Sequence, residues 1–571
     1  MVGNSDSYIP AVAEPALGAR IGHVRWTICA MLFAATTINY MDRMVMGLLK
    51  PILMHSAAQG GIGMTEVGYA NVMSCFTLFY AIGLLFVGRF VDKVGTRIGY
   101  MVIMAAWSLS AMSHALANSV FQFGIARTCL GLGESGNFPA ANKANAEWFP
   151  QKERSFSFGI FNCGANVGVV LASIIVPLVV IHFNWHYAFL VTGVLSASWI
   201  LLWFFKYRKP TEHPTLSAAE LAYINQEPPE KSGPSTPWIN LLDLPQTWAY
   251  SIPKFLTDPI WWFYLYWLPG YFSDKFHLDL MHLGLPIFIV YSASTVGSVY
   301  GGYLPASFIR MGLTAARARL GAMLLCASMV VPVFLINYTS SEWVAIGLLS
   351  LAAAAHQGWS CNLFTTCSDM FPRSEVGSIT SIGAAAGSIG GFLFIQLAGH
   401  VLQISHSYSL LFIIAASIYI LSLLILVLFA PGLKKVQLAP VVVDLWSFKG
   451  RIGRGSYWAR LTLLNLVGLF ACFLIVTLFG LSTYLQPFVQ SLVAIALALI
   501  MIPICIGSIW LGLTTQIKRW HDLGHSGWMV LLNFTIIAIP FTFIYLGFFR
   551  GEAGLNKFGA NPIVGGSDGG L

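Results

Sequence analysis

The sequence predicts an all-α integral membrane protein, and three observations support that fold class. Only 9% of the 571 residues are charged and 57% are hydrophobic, whereas soluble domains carry about 25% charged residues. Apolar runs of about 20 residues recur along the chain, and each is long enough to cross the hydrocarbon core as a helix. Because these runs do not alternate with a period of two, they do not fit the strands of a transmembrane β-barrel.

Twelve of the predicted spans fall into two groups of six. A segment rich in proline and charge, residues 206–247, is expected to be a cytoplasmic loop between two bundles, 22–205 and 248–430. The first bundle is predicted to contain helices at 26–48, 66–87, 99–117, 121–141, 156–180 and 186–205. The second is predicted to contain helices at 248–272, 283–304, 318–337, 341–365, 376–401 and 406–430.

Basic residues fall on one side of the predicted spans, in short loops such as those holding Arg89, Lys93 and Lys434. Because cytoplasmic loops of membrane proteins carry an excess of Lys and Arg, we expect these loops and the N-terminal tail 1–21 in the cytoplasm. The same loops account for most of the net charge of +8. The sequence therefore predicts a lipid bilayer, and not nucleic acid, as the partner of this basic chain.

Two sequence echoes indicate that the second bundle repeats the first. EWFPQKERS (147–155) and DMFPRSEVGS (369–378) each follow the fourth span of a bundle, and GANVG from Gly164 and GAAAG from Gly383 each lie in the next span. The GxxxG spacing lets helices approach closely where lipid supplies no hydrophobic drive. We expect two parallel six-helix halves related by an axis normal to the membrane.

Beyond residue 430 the sequence changes character. A linker, 431–448, leads to a C-terminal region, 449–571, that is expected to form a small three-helix membrane domain. Three spans would place the C-terminus outside the cell, but Pro540 could break the last helix and return the chain. The three spans are predicted at 457–479, 487–514 and 527–549.

Four charged residues lie inside predicted spans of the first bundle: Asp42, Arg43, Arg127 and Glu134. A charge at the bilayer centre costs at least about 2.5 kcal/mol, so such residues normally face a cavity and carry function. With a rise of about 1.5 Å per residue, the two arginines lie at nearly the same depth. Glu134 lies two turns beyond Arg127 on the same helical face.

These charges suggest how an acid could be bound. Arginine grips a carboxylate through two hydrogen bonds and stays charged, so Arg43 and Arg127 are expected to hold a substrate carboxylate. A substrate that recruits an arginine releases its acidic partner to take a proton, so Asp42 and Glu134 are predicted to couple transport to protons. The alternative is a static ion pair that joins the first and fourth helices.

Other polar and aromatic residues in the spans are candidates for binding the remainder of the substrate. Aromatic side chains stack on sugar rings and amides bind hydroxyls, although some aromatic residues are expected to face lipid instead. Lys254 and Asp258, four residues apart, are predicted to form a local pair, with a gating role as the alternative. The substrate-binding candidates are Tyr80, Asn162, Asn166, Trp262, His356, Gln357 and Asn362.

The loop after the second span, GRFVDKVGTR from Gly88 to Arg97, resembles the signature of the major facilitator superfamily. With INYMDR, ARTCLGLGESGNFPAANKANAEWFPQKERS and NWHYAFLVTG, the chain is similar to the anion:cation symporters over residues 22–430. PKFLTDPIWWFYLYWLPGYF, GGYLPASFIRMG and AAAAHQGWSCNLFTTCSDMF resemble the hexuronate branch. The resemblance implies a twelve-helix major facilitator fold in the bacterial inner membrane that imports glucuronate or galacturonate with protons.

The same resemblance implies gating roles in the GRFVDKVGTR loop. Gly88 is expected to allow close packing, Asp92 to start a helix or pair with a neighbouring cation, and Arg97 to supply the cytoplasmic charge. Where many relatives carry an acidic residue in the second half, this chain has Ala306. A charge relay like that of Asp92 and Arg97 therefore has no counterpart there.

The C-terminal region resembles a small bacterial membrane family known as domain of unknown function 805, through FKGRIGRGSYW, KRWHDLGHSGW and GLNKFGANP. His521 and His525 have the one-turn spacing of metal ligands. The neighbouring Lys518 and Arg519 favour instead a cytoplasmic loop that touches lipid headgroups. No metal site is predicted.

The leading prediction is a proton-coupled importer of a small anionic sugar acid that works by alternating access and uses no cofactor. One alternative is a symporter or exchanger of another organic anion, such as an aldonate, glucarate or an aromatic acid. Another is a membrane sensor that signals through the C-terminal region. An enzyme is not predicted, because no nucleophile with a base, metal cluster or phosphate loop is found in the sequence.

Overall fold

A computed structural model describes residues 22–226, 241–436 except 243, and 447–559 except 455, 459, 462–463, 466–467, 469–486, 536–537, 553 and 555. Within these ranges the chain is helical, and nine helices are long and apolar enough to cross a membrane. The chain is thus a multi-pass membrane protein. The tail 1–21 and most of the span predicted at 457–479 lie outside the described residues.

The first bundle precedes a short helix, α8 (Ala218–Ile224), in the loop between the bundles. Glu220 of α8 caps the start of α1 and accepts a hydrogen bond from Arg25 Nη1 at 3.0 Å, so the loop is tied to the first bundle. The helices of this bundle are α1 (Val24–Met54), α2 (Glu66–Val94), α3 (Thr96–Ser113), α4 (Val120–Glu134), α5 (Asn137–Trp148), α6 (Gln151–His182) and α7 (Trp185–Lys206).

The fourth predicted span is not one helix, so the prediction of a single helix over 121–141 is wrong. It breaks after Glu134 into α4 and α5. The break follows a glycine-rich run that packs tightly: a Cβ on Gly131 would lie 2.5 Å from the carbonyl oxygen of Phe76, and one on Gly133 would lie 2.9 Å from the backbone of Trp107. Small residues let α4 approach α2 and α3 this closely.

The second bundle shows the same alternation of long helices and tight turns. The third helix of this bundle, predicted at 318–337, passes into a 3-10 helix at Val331–Tyr338, because proline at 332 removes a backbone donor. Its helices are α9 (Pro245–Phe276), α10 (Leu280–Arg310), α11 (Ala315–Val330), α12 (Glu342–Met370), α13 (Arg373–Ser405) and α14 (Ser409–Phe429).

The predicted duplication is visible in the packing. Pro150 precedes α6 and Pro372 precedes α13, each as the residue that caps the helix. In the first bundle, Gly164 of α6 packs against α1 at Phe33 and Thr37. In the second bundle, Gly383 of the equivalent helix, α13, packs against the ring of Tyr250 of α9. The bundles meet along three helix pairs, α1 with α9, α2 with α13, and α6 with α10.

The C-terminal region departs from the predicted three long helices. α15 (Pro487–Asp522) is longer than predicted, but the span at 527–549 is replaced by a 3-10 helix, Gly527–Phe534, and α16, Ile539–Phe548. Ten residues of helix cover about 15 Å, half of a hydrocarbon core. Pro540, at the start of α16, removes a helical donor at this point.

After α16 the chain returns to the end of α15. The backbone N–H of Glu552 donates to the carbonyl oxygen of Asp522 at 2.8 Å, and Arg519 binds the carbonyl oxygen of Phe549. Arg451 binds both Asp522, at 3.0 Å, and the backbone of Glu552. The start of the region, the end of α15 and the segment after α16 therefore meet at one buried cluster.

The prediction that this segment touches lipid headgroups through Lys518 and Arg519 is wrong, because both side chains are buried. His521 stacks on Phe558 with ring centroids 3.9 Å apart, and His525 bonds the hydroxyl of Tyr545. Within the described residues no group of three or more His, Cys, Asp and Glu side chains comes together.

Candidate substrate site

Arg43 of α1 and Glu134 of α4 form a buried ion pair. The Nε of Arg43 donates to Oε2 of Glu134 at 2.6 Å, and their side chains are 1% and 0% exposed. Glu134 is the last residue of α4, so the break in the fourth span ends the helix at the carboxylate. The structure therefore pairs an arginine of the first predicted span with an acid of the fourth.

Four aromatic rings surround the guanidinium of Arg43. Its Cζ lies 4.7 Å from the ring centroid of Tyr80, 4.9 Å from Tyr40, 5.2 Å from Phe76 and 5.4 Å from Trp262. Such contacts stabilise a buried cation through the negative face of each ring. Tyr80 and Trp262 were expected at the site. Tyr40 and Phe76 were missed, although one lies within INYMDR and the other one turn before Tyr80.

Asp42 points away from this pair, which corrects the expectation that all four charges face one chamber. Its Oδ2 accepts hydrogen bonds from Trp107 Nε1 at 2.6 Å and Ser196 Oγ at 3.1 Å, so it lies among α1, α3 and α7. Neighbouring residues on a helix project about 100° apart. Adjacency in the sequence therefore placed Asp42 and Arg43 on different faces of α1.

Arg127 is the buried cation whose charge is least satisfied. It is 0% exposed, and none of its three guanidinium nitrogens has a hydrogen-bond partner among the described residues. Its Cζ lies 5.7 Å from the ring centroid of Phe76, the ring that Arg43 also contacts. Because an unpaired buried charge is costly, this guanidinium is well placed to receive an anion.

Several neutral polar groups are also buried without a hydrogen-bond partner in the described part of the chain. They include both amide atoms of Asn39 on α1 and the hydroxyls of Tyr264, Tyr266 and Tyr291. Tyr266 lies within electrostatic reach of Arg43. Sequence reasoning missed Asn39 and Tyr291 as site candidates, since an isolated amide or phenol in a span gives no sign of whether its partner is a helix or a substrate.

Other predicted candidates are used within the second bundle. His356 stacks on Trp261 with centroids 5.2 Å apart, and its Nδ1 lies 2.6 Å from the hydroxyl of Tyr419. Asn362 donates to the carbonyl oxygens of two glycines at 2.7 and 2.8 Å and accepts from Arg319 at 3.2 Å. The structure does not bring Asn362 to Arg43, because its polar atoms join helices. Gln357 is half-buried beside His356.

The two asparagines of α6 differ in their surroundings. Asn166 is 5% exposed, and its Oδ1 accepts a hydrogen bond from Ser294 of α10 at 3.3 Å. This bond crosses between the bundles at mid-depth. Asn162, one turn earlier, is exposed. Of the two, Asn166 is the one that faces the other bundle.

The GRFVDKVGTR segment, predicted as a loop, is helical except at Gly95, and its charges Asp92 and Arg97 have separate partners. Asp92 lies in the last turn of α2, not at a helix start, and pairs with Lys143 at 2.8 Å. Arg97 donates to the carbonyl oxygen of Phe204 at 2.8 Å. The expected pairing of Asp92 with a neighbouring cation is therefore present, and that cation is Lys143.

Gly88 does not have the packing role expected of it, since a Cβ there would meet nothing within 4 Å. The close approach occurs five residues earlier, at Gly83, where a Cβ would lie 2.2 Å from Oγ of Ser135. Position in the motif alone did not show which glycine packs.

Lys254 and Asp258 of α9 form the predicted local pair, at 2.8 Å. Gly387 of α13 packs on the carboxylate, where a Cβ would lie 2.3 Å from Asp258 Oδ2. The second GxxxG motif therefore makes room for this pair.

Two helical bundles that enclose buried, oppositely charged side chains are the arrangement of a multi-pass membrane transporter. The model of the Major Facilitator Superfamily matches residues 32–395, and the chain belongs to that superfamily. A second model, described as a protein of unknown function (DUF805), matches residues 445–560. Both expected family resemblances are confirmed.

Curated relatives and solved structures agree with this assignment. The chain is 28% identical to the hexuronate transporter of Escherichia coli K12 over 412 residues, 71% of this chain and 94% of that protein. It is 29% identical to the galacturonate transporter of Dickeya chrysanthemi over 58% of this chain and 97% of that protein. The crystal structure of a D-xylose-proton symporter covers 72% of this chain and 99% of its own, with a TM-score of 0.57 and 14% identity, and shows the fold.

Proposed function

We propose that this protein imports a sugar acid, a hexuronate, together with protons by alternating access across the bacterial inner membrane, with its N-terminus in the cytoplasm. The observation that carries the proposal is the buried set of Arg43, Glu134 and Arg127, in which one arginine is paired and the other has no partner among the described residues. Relatives named for transport of hexuronate, galacturonate and D-galactonate support the substrate class.

Arg127 is the first group to receive the substrate carboxylate. Its planar guanidinium can make two parallel hydrogen bonds to a carboxylate, and both are strengthened by charge. Binding gives the arginine a hydrogen-bond partner that none of the described residues supplies. Arg43 contacts the same Phe76 ring and can share the carboxylate once its own pair with Glu134 loosens.

Glu134 couples the substrate to a proton. When the substrate draws Arg43 away, Glu134 loses its counter-charge in a water-poor site, and an unpaired buried carboxylate is costly. Taking up a proton relieves that cost. The charge of the acid anion is then cancelled by the proton on Glu134, which lowers the cost of moving that anion as the bundles rearrange.

Asp42 is proposed as a second proton carrier. Trp107 and Ser196 hold its Oδ2, whereas its Oδ1 has no partner within the described chain. Arg127 lies within electrostatic reach of Asp42, so capture of the substrate by Arg127 is felt there. The effect of the substrate on Asp42 is indirect, because Asp42 is bonded to Trp107 and Ser196 and not to the arginine that binds the substrate.

The remainder of the sugar acid lies between α2 of the first bundle and α9 of the second. The rings of Tyr80 and Trp262, which already contact Arg43, can pack against the apolar face of a pyranose. The hydroxyl of Tyr266, which has no partner among the described residues, can bond a sugar hydroxyl. Substrate thus bridges a charged wall from the first bundle and an aromatic, hydroxyl-bearing wall from the second.

Uptake by purified protein in liposomes tests the proposed substrate. D-glucuronate, D-galacturonate, D-galactonate, D-glucarate and benzoate should be compared with acid outside and with equal pH on both sides. We expect the two uronates to accumulate only with acid outside, and a protonophore to abolish accumulation. If an aldonate or aldarate accumulates and neither uronate does, the hexuronate assignment is wrong and the protein transports another organic anion.

A further inference from the structure

A second polar cluster, built around one buried lysine, joins the bundles at the end of the helices opposite the basic loops. It consists of five residues that we call the outer cluster: Lys50 near the end of α1, Glu66 at the start of α2, Trp267 and Asp274 near the end of α9, and Tyr408 just before α14. Lys50 is only 1% exposed. A buried lysine ammonium requires hydrogen-bond partners, and Lys50 has Glu66 and Tyr408.

Within each bundle the charged groups of the outer cluster have their own partners. In the first bundle, Nζ of Lys50 pairs with Oε1 of Glu66 at 2.7 Å. In the second bundle, the hydroxyl of Tyr408 donates to Oδ2 of Asp274 at 2.8 Å, and Asp274 is exposed to solvent.

The bonds that cross between bundles are longer. Lys50 Nζ donates to the hydroxyl of Tyr408 at 3.3 Å, and Trp267 Nε1 donates to Oε2 of Glu66 at 3.3 Å. Lys50 reaches Tyr408 because residue 270 is glycine, where a Cβ would lie 2.9 Å from Nζ. The ammonium group of Lys50, in the first bundle, therefore packs against Gly270 of the second bundle.

Three further hydrogen bonds between the bundles lie just inside the outer cluster. The hydroxyl of Tyr69 donates to the carbonyl oxygen of Tyr266 at 2.9 Å, and Nε2 of Gln396 binds Oδ1 of Asn71 at 3.0 Å and Ser74. All of these residues lie on the outer halves of α2, α9 and α13. The outer approach to Arg43 is closed by these contacts.

We propose that the outer cluster is the outer gate of the transporter. Separating the bundles breaks the long bonds from Lys50 to Tyr408 and from Trp267 to Glu66, but it leaves Lys50 with Glu66 and Tyr408 with Asp274. No buried charge loses its partner when the gate opens, which is the costly event in separating buried ions. The gate can therefore hold the outside closed and still release it reversibly.

This assignment goes beyond the proposed function, because it does not depend on which solute is carried or on proton coupling. Its test needs no substrate. Spin labels at Ala58 in the first bundle and Gln403 in the second, both exposed at the outer end, report the separation of the bundles by pulsed electron resonance. The protein is studied at full length in liposomes, with its native cysteines replaced.

The Tyr408→Phe variant removes the hydroxyl and keeps the ring. A hydrogen bond to a charged group stabilises by enough to change a two-state ratio about tenfold or more. We expect the ratio of long to short distances between the labels to rise by about that factor. Tyr338→Phe is the matched control, since Tyr338 is 82% exposed at the outer end of the second bundle and takes no part in the cluster.

A double variant, Lys50→Met with Glu66→Gln, provides a second test that removes both charges together and leaves neither unpaired. We expect the same shift toward long distances. If both the Tyr408→Phe protein and the double variant give the distance distribution of the Tyr338→Phe control, the outer cluster is not a gate. A lower melting temperature without a change in distances would also overturn the proposal, because it assigns the cluster to stability alone.

Discussion

The two bundles share a packing plan but carry different chemistry. His356 precedes its Phe-Pro turn by the same number of residues as Glu134 precedes the first Phe-Pro turn. Glu134 binds a buried arginine, whereas His356 stacks on Trp261 and bonds Tyr419. In the first bundle an arginine has no partner among the described residues, whereas the buried Lys254 of the second is paired one turn away.

This difference suggests that the two repeated bundles have different functions, one in binding an anion and the other in supporting the fold. A closed ion pair such as Lys254 with Asp258 has little to offer an anion, since its charges already satisfy each other. A buried arginine without a partner gains most when an anion arrives. We therefore expect charge changes in the first bundle to affect transport and equivalent changes in the second to affect mainly stability.

The largest effect is expected from Arg127→Met. The substitution removes the carboxylate receptor and keeps an unbranched chain in place of the aliphatic stem, so uptake should fall about 100-fold or more, as expected for two charge-assisted hydrogen bonds. Because no described residue bonds Arg127, the melting temperature without substrate should stay equal or rise. Uptake and thermal unfolding of the same preparation check both statements.

Arg43→Met is the matched comparison for that variant. It leaves Glu134 buried without its cation, so it should lower stability as well as uptake. If Arg127→Met proves the more unstable of the two, Arg127 has a structural partner and the proposed division between the arginines fails.

A smaller effect is expected from Trp262→Leu. The change removes one of the four rings around Arg43, and a cation–π contact to a half-buried ring such as Trp262 contributes about 1 kcal/mol. The half-saturating substrate concentration should rise about fivefold with little change in the maximal rate. Tyr303→Leu, at an exposed ring of the same bundle, is the control, and equal effects from both would remove Trp262 from the site.

The paired charges of the second bundle should matter less for transport. Lys254→Met alone leaves Asp258 without its partner and is expected to lower the stability by about 3 kcal/mol. Combining it with Asp258→Leu should restore much of that loss, with substrate affinity within about twofold of the unaltered protein. A double variant that folds but no longer binds substrate would place this pair in the site and break the comparison.

The smallest effect is expected at Gly88. Because a Cβ there meets nothing, Gly88→Ala should leave the melting temperature unchanged. Gly83→Ala should lower it, since the methyl group would overlap Ser135. Thermal unfolding of the two alanine variants side by side decides whether the tight glycine lies in the motif or before it.

Much of this architecture follows from sequence because long apolar runs and matched glycine motifs report packing directly. Depth along the helices placed Arg43 level with Arg127 and Glu134 two turns away, so the direct contact of Arg43 with Glu134 does not follow from depth. The orientation of Asp42 does not follow from it either, because one residue step turns a helix face by about 100°. The structural role of Asn362 could not be predicted either, since its amide donates to backbone carbonyl oxygens, which any residue provides. The broken ends of α4 and the C-terminal span depend on local glycine and proline chemistry that apolar length conceals.

The most direct test of the account is transport by Glu134→Gln. Glutamine keeps the shape of the side chain and cannot take up a proton in place of the acid. With substrate on both sides of the membrane, labelled uronate should still exchange, whereas accumulation driven by acid outside should be lost. If the variant still concentrates uronate against its gradient, Glu134 does not couple the proton to the acid and the central claim is wrong.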